Sequence, residues 1–149
     1  MSFKEKVHLA FINLLDEKIS FLKTNLADLF ESGKNETKST AGDKHETALA
    51  MLQIEQGNLR RQLANLLEQR SLLASLDPSI VPSEVRPGSL VFTTHSIFYL
   101  STSLGKLTLN DQVVISVSNN SPLGQLLRNL KINDTATFNN VEYTITHVC

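Results

Sequence analysis

The chain has 149 residues, 41% hydrophobic and 19% charged, with 14 basic side chains against 15 acidic ones and a net charge of −1. That length gives one ordinary domain or two small ones, and the balanced charge excludes a protein whose main work is coating nucleic acid by neutralising phosphates. Cys149 is the one cysteine, which excludes an internal disulfide framework and a thiolate zinc site. The start, MSFKEKVHLAFINLLDEK, mixes charges among its apolar residues and does not read as a signal peptide. No apolar run approaches membrane-spanning length, so no membrane contact is expected and the cytoplasm is the expected compartment.

The first element is a helix. Ile12, Leu15, Ile19, Leu22, Leu26 and Leu29 recur at gaps of three and four, the spacing of a coiled-coil seam. No proline or glycine interrupts residues 1–32, and Gly33 is expected to stop the helix. The most polar run of the chain follows, ESGKNETKSTAGDKHET, residues 31–47. Asp43 and Glu46 stand in it three positions apart. Two readings are open for them. Asp-x-x-Glu before an apolar run is a capping-box-like helix start; or the apex that carries them is the working end of the molecule.

The second helix carries Leu49, Leu52, Gln56, Leu59, Leu63, Leu66, Arg70 and Leu73 at gaps of three and four. Gln56 and Arg70 are polar members of that seam, of the kind that fixes register. Gly57 weakens the helix by about 1 kcal/mol against alanine. Two helices of similar length joined by a polar turn predict an antiparallel hairpin, each burying its stripe on the other, with the apex at residues 34–46. Arg60 and Arg61 are either a solvated helix face or a surface that steers a nucleic acid. His8, His95 and His147 are scattered and suggest no metal set; His45, beside the two acids, is either an exposed loop histidine or one that orients a phosphate or water.

LDPSIVPSEVRPGS, residues 76–89, holds three of the four prolines and cannot continue the helix. Beyond it the period changes. SLVFTTH, IFYLST, KLTL, QVVISV, TATFNN and VEYTITHV are rich in β-branched and aromatic residues, and Asn139–Asn140 predicts a tight hairpin turn. SPLGQLLRNLK, residues 121–131, is a short helix with Ser121 as N-cap, Pro122 at its first position, and an apolar face of Leu123, Leu126, Leu127 and Leu130. The fold class is α+β in two segregated parts: an antiparallel coiled-coil hairpin over 1–76, a linker over 77–87 and a small β-rich domain over 88–149.

SPLGQLLRNLKINDTATFNNVEYTITHV, residues 121–148, resembles the end of the bacterial Gre transcript-cleavage factors. Those share a Ser-Pro-hydrophobic-Gly helix start, a short helix, and a Lys-hydrophobic-Gly-Asp step into a closing hairpin. The step here is Lys131, Ile132, Asn133, Asp134, with asparagine for the usual glycine. The family's helical hairpin carries Gly-Asp-x-x-Glu at its tip, matched here by Gly42, Asp43, Lys44, His45 and Glu46. The resemblance implies an FKBP-like domain over 88–149 and a monomeric elongation factor that binds RNA polymerase. Its coiled-coil tip would enter the secondary channel and stimulate cleavage of backtracked RNA. It would not be an enzyme itself. It would meet the RNA 3′ end only within the polymerase complex, where Asp43 and Glu46 would help hold a Mg²⁺ shared with the polymerase. Ser121, Pro122, Leu123 and Gly124 match the family's polymerase-docking region.

The family's tip continues Asn-Ala-Glu-Tyr, where this chain has Thr47, Ala48, Leu49 and Ala50. That departure makes a non-cleaving, polymerase-binding regulator the first alternative. A prolyl isomerase or chaperone is the second, with Phe92, Phe98, Tyr99, Phe138 and Tyr143 lining a pocket.

Overall fold

The computed structural model describes the backbone of residues 1–39 and 43–149, and the side chains of residues 1–34 and 46–149. Among the described residues, helices α1 (Phe3–Ser39) and α2 (Asp43–Ala74) precede strands β1 (Leu90–Thr93), β2 (Ile97–Ser101), β3 (Gly105–Leu109) and β4 (Gln112–Ser118). Helix α3 (Pro122–Leu127) and strands β5 (Thr135–Phe138) and β6 (Val141–Val148) complete the α+β fold. The chain divides into two compact units, Leu14–Arg70 and a second made of Met1–Asn13 with Ser71–Cys149. This division runs differently from the segmentation at 76 and 88 read from the sequence, because both long helices contribute residues to both units.

Within Leu14–Arg70 the helices pair antiparallel. Arg70 Nε donates to Asp16 Oδ1 at 2.8 Å, whereas the Arg60 guanidinium lies over the Phe30 ring, 5.2 Å from its centroid. Ascending one helix therefore means descending the other. Leu15, Ile19, Leu22 and Leu26 are buried, and the α2 seam from Leu49 to Arg70 is half-buried throughout. Two corrections apply to α1. Its buried line enters through Val7 and Phe11, both fully buried, while Ile12 is half-buried. Gly33 does not stop the helix: α1 runs through it to Ser39. Gly33 is absent from the positive-φ residues, so it does not take the left-handed turn that a glycine stop requires. Of the expected apex at 34–46, residues 34–39 belong to α1 and residues 43–46 to α2; residues 40–42 lie outside the described residues.

The start of α1 is set by a reciprocal cap. Ser2 Oγ accepts from Glu5 N at 3.1 Å, and Glu5 Oε1 accepts from Ser2 N at 3.3 Å.

The sheet order is β3-β4-β2-β1-β6-β5. The β2–β4 pair is parallel and the others are antiparallel. Alternation along the strands gives two buried faces. On one, Val91, Phe98, Leu100, Val117, Ile145 and Val148 form a core with Leu127 of α3 and with Val85. Val85 lies in the stretch read as a linker, yet it is fully buried, and its N–H and C=O bond to Leu130 O and Asn129 N. The other face is covered by the first turns of α1. Phe11 stacks on Tyr99 with ring centroids 6.0 Å apart, and His8 Nδ1 lies 2.6 Å from the Tyr99 hydroxyl.

This arrangement removes the pocket expected for a prolyl isomerase. Phe98 and Tyr143 meet edge-on in the first core, at 5.4 Å. Phe138 follows Ala136, the partner of Tyr143, on that same side. Tyr99 and Phe92 turn to the opposite face, Tyr99 against α1 and Phe92 against Phe3 at 6.2 Å. Sequence neighbours on a strand point to opposite sides, so these five rings line no common cavity.

Candidate functional site

The tip residues sit where α2 begins. Asp43 is the first residue of the helix and Glu46 lies in the same first turn, where acids suit the positive end of the helix dipole. Glu46 is exposed. Gly42, and the side chains of Asp43, Lys44 and His45, lie outside the described residues. Among the described residues, no three His, Cys, Asp or Glu side chains lie together as a metal site, a statement that does not reach Asp43. Further along α2, Arg60 is held over Phe30, and Arg61 donates from Nη2 to Asn58 Oδ1. Both arginines remain exposed.

The second candidate surface is the start of α3. Ser121 is extended (φ −69°, ψ 159°), and its Oγ accepts from Gly124 N at 3.0 Å. The same hydroxyl donates to Ser118 O at 2.8 Å. Gly124 is buried, and a Cβ there would stand 2.1 Å from the Ser118 carbonyl oxygen. Leu123 packs against the core. Local structure therefore accounts for Ser121, Leu123 and Gly124, and Pro122 is the exposed member of the four. Leu126, read as part of the apolar face, is 44% exposed, and Ile132 is 47% exposed. Leu126 lies four residues beyond Pro122 and so on the same side of the helix. Helix α3 is also shorter than expected, because Asn129 takes a left-handed φ of 67°.

The step after α3 is a closed turn. Lys131 N donates to Asp134 Oδ2 at 2.8 Å, and Asp134 N donates to Lys131 O at 3.0 Å. Asn133 occupies its left-handed position at φ 76°. Asparagine tolerates that conformation better than other residues with a Cβ, which explains its presence where the resembling family has glycine.

Four side chains of the sheet unit have displaced pKa values. Hydrogen bonds from the Ser79 hydroxyl and N–H hold the Asp77 carboxyl below its usual range. Burial pushes the Lys4 ammonium down and both the Tyr99 phenol and the Cys149 thiol up. Lys4 was missed in the sequence, although it stands three residues before Val7 on the buried line of α1. The histidines whose side chains are described are dispersed. His8 meets Tyr99, His95 meets Tyr143 at 5.7 Å, and His147 meets Phe92 at 5.6 Å.

No described protein family matches the chain, and no curated protein matches it. It is similar to a solved structure described as "Structure of the transcription factor Gfh1", at 12% identity over 92% of each chain with a TM-score of 0.36.

Proposed function

We propose that the chain is a Gre-like transcription elongation factor. It binds RNA polymerase, places the Asp43–Glu46 end of its paired helices in the secondary channel, and stimulates the polymerase's own cleavage of backtracked RNA. The observation that carries this reading is where the Gly42-Asp43-Lys44-His45-Glu46 motif falls. It opens α2, just after α1 ends and the chain reverses into an antiparallel partner. Helix capping alone would account for the two acids. It would not account for their occurrence together with a Gre-like ending in which Ser121, Gly124 and Asn133 each fill a position that the motif requires.

The donor set fits Mg²⁺, which takes one or two carboxylates and completes its shell with water and phosphate oxygens. Carboxylates three apart on a helix are neighbours. Asp43 and Glu46 would hold the ion beside the metal of the polymerase, and a two-metal site stabilises both the attacking and the leaving oxygen. Two carboxylates alone make a weak site, so the ion is shared with the polymerase rather than carried. Docking falls to the α3 start, where Pro122 and Leu126 offer exposed apolar surface of the kind found in protein interfaces. The α1 and α2 stripes are matched within one chain, which supports a monomer.

Stalled, backtracked elongation complexes test the proposal. Purified protein with Mg²⁺ is expected to yield shortened transcripts, and Asp43→Ala/Glu46→Ala to lower that yield about tenfold or more, a barrier change of at least ~1.4 kcal/mol. Binding with no cleavage selects the non-cleaving regulator, which Thr47, Ala48, Leu49 and Ala50 favour as departures from the cleaving family's tip. Absence of polymerase binding removes both readings.

A further inference from the structure

Phe21 lies off the α1 seam and is 67% exposed, the more exposed of the two phenylalanines in the Leu14–Arg70 unit. It borders a groove of about 560 Å³ on one flank of the paired helices. Glu17 and Lys18 line that groove beside it, together with the seam residues Leu22 and Leu66. Neither seam covers this flank, so it keeps apolar surface of its own in water.

The flank also has an order along the chain. Leu14, Glu17, Lys18 and Phe21 stand at i, i+3, i+4 and i+7 of α1, which places them on one face of the helix. Leu14 is half-buried, and Glu17 and Lys18 are exposed. Among the described residues neither charge enters an ion pair within the chain. The stripe reads apolar, acidic, basic, apolar. Laid against itself in the opposite direction, it sets an apolar residue against each apolar residue and an opposite charge against each charge. A two-fold axis between Glu17 and Lys18 brings Leu14 to Phe21 twice and Glu17 to Lys18 twice. An isologous contact requires this self-complementarity of a single patch. A partner of uniform charge would gain at one of the two charged positions and lose at the other.

We infer that this flank binds a second copy of the chain, with the two α1 helices antiparallel, Leu14 of each copy against Phe21 of the other, and Glu17 of each against Lys18 of the other. The seams are matched within each chain, so folding does not depend on this contact. A stable specific interface takes roughly 20–30 residues a side, and one stripe with its groove supplies fewer. The pair is accordingly weak, with a Kd on the order of 0.1 mM, and the dilute chain is a monomer.

Sedimentation equilibrium of the full chain, from about 10 μM to about 1 mM, tests this. The weight-average mass is expected to rise from that of one chain toward that of two. Glu17→Lys alone sets lysine against lysine at both charged contacts, and Lys18→Glu alone sets acid against acid. Each is expected to weaken the pairing about tenfold or more. Mixed in equal amounts, the two variants restore opposite charges at both contacts, and association should return. Phe21→Ser should weaken the pairing as well. All three substitutions are at exposed positions, and unchanged far-ultraviolet circular dichroism would show that each variant keeps its helices. A wild-type chain that stays a single copy throughout that range overturns the inference. So do single reversals or a Phe21→Ser variant that pair as the wild type does, and a mixture that pairs no better than its components.

Discussion

Gly57 and Gly124 both stand in helices, and opposite outcomes follow from their surroundings. A Cβ at Gly57 would meet nothing nearer than an Arg61 guanidinium nitrogen at 3.9 Å. Gly57→Ala should therefore stabilise the protein by about 0.5–1 kcal/mol, since glycine loses more backbone freedom on folding. At Gly124 the added carbon would overlap the Ser118 carbonyl oxygen, and Gly124→Ala should cost about 1–3 kcal/mol, the usual range for overpacking. Urea unfolding of the two variants checks both signs. Tyr99 gives a pH prediction at the same scale. Burial raises its folded-state pKa above the ordinary phenol value, so the folded state keeps its proton where the unfolded state has begun to lose it. That stability is fully present below about pH 10 and is lost as pH rises through the folded-state value. Cys149 acts in the same direction from a lower starting pH, and Lys4, with its lowered pKa, acts in the opposite direction. Tyr99→Phe should flatten the decline of stability above pH 10; an unchanged profile would assign the decline to another group.

Among the elements, the α2 seam was the most legible part of the chain. Every seam residue from Leu49 to Arg70 is half-buried, and Leu73 is buried, because a strict three-four alternation leaves one stripe to face a partner. The end of α1 was less legible. A glycine after the last seam leucine resembles a stop, but a glycine costs only about 1 kcal/mol inside a helix, and α1 continues through it to Ser39. The polar member Arg70 has a visible role, pairing with Asp16 across the two helices. Both side chains are partly solvated, at 33% and 52% exposed. A double-mutant cycle with Asp16→Ala and Arg70→Ala should give a coupling below about 1 kcal/mol, and the coupling should shrink in high salt. The pair therefore fixes register more than it adds stability. All six strands were read from their β-branched runs, and the Asn139–Asn140 turn from its dipeptide, at φ 50° and 64°. The equivalent turn at Asn110–Asp111, φ 52° and 63°, was not read from the sequence, although asparagine and aspartate are the residues that accept this conformation.

At the scale of the molecule, the sequence concealed which residues fold together. Periodicity reports that a residue is buried and is silent about what buries it, so residues 1–13 read as the base of a hairpin. They belong instead with the sheet, whose second face they cover through Phe11 and His8 on Tyr99. For the same reason the proline-rich stretch read as a linker, while Val85 within it is fully buried in the core. This has a consequence for fragments. Residues 88–149 alone would lack Val7, Phe11, Leu73 and Val85, all fully buried in the unit that contains them. At roughly 1.5–3 kcal/mol for each such side chain, the loss is on the order of 6–12 kcal/mol, comparable to the whole stability of a domain, about 5–15 kcal/mol. The 88–149 fragment is therefore expected to show no cooperative thermal transition. A chain joining residues 1–13 to 71–149 through a short glycine-serine linker should melt cooperatively, since Asp16 and Arg70, just beyond the two cut ends, are in contact in the intact protein. Circular dichroism in the tyrosine region distinguishes the two chains, because Tyr99 has a fixed environment only when Phe11 covers it. A cooperative transition in 88–149 at the same temperature as in the joined chain would mean that the sheet does not need its helical cover.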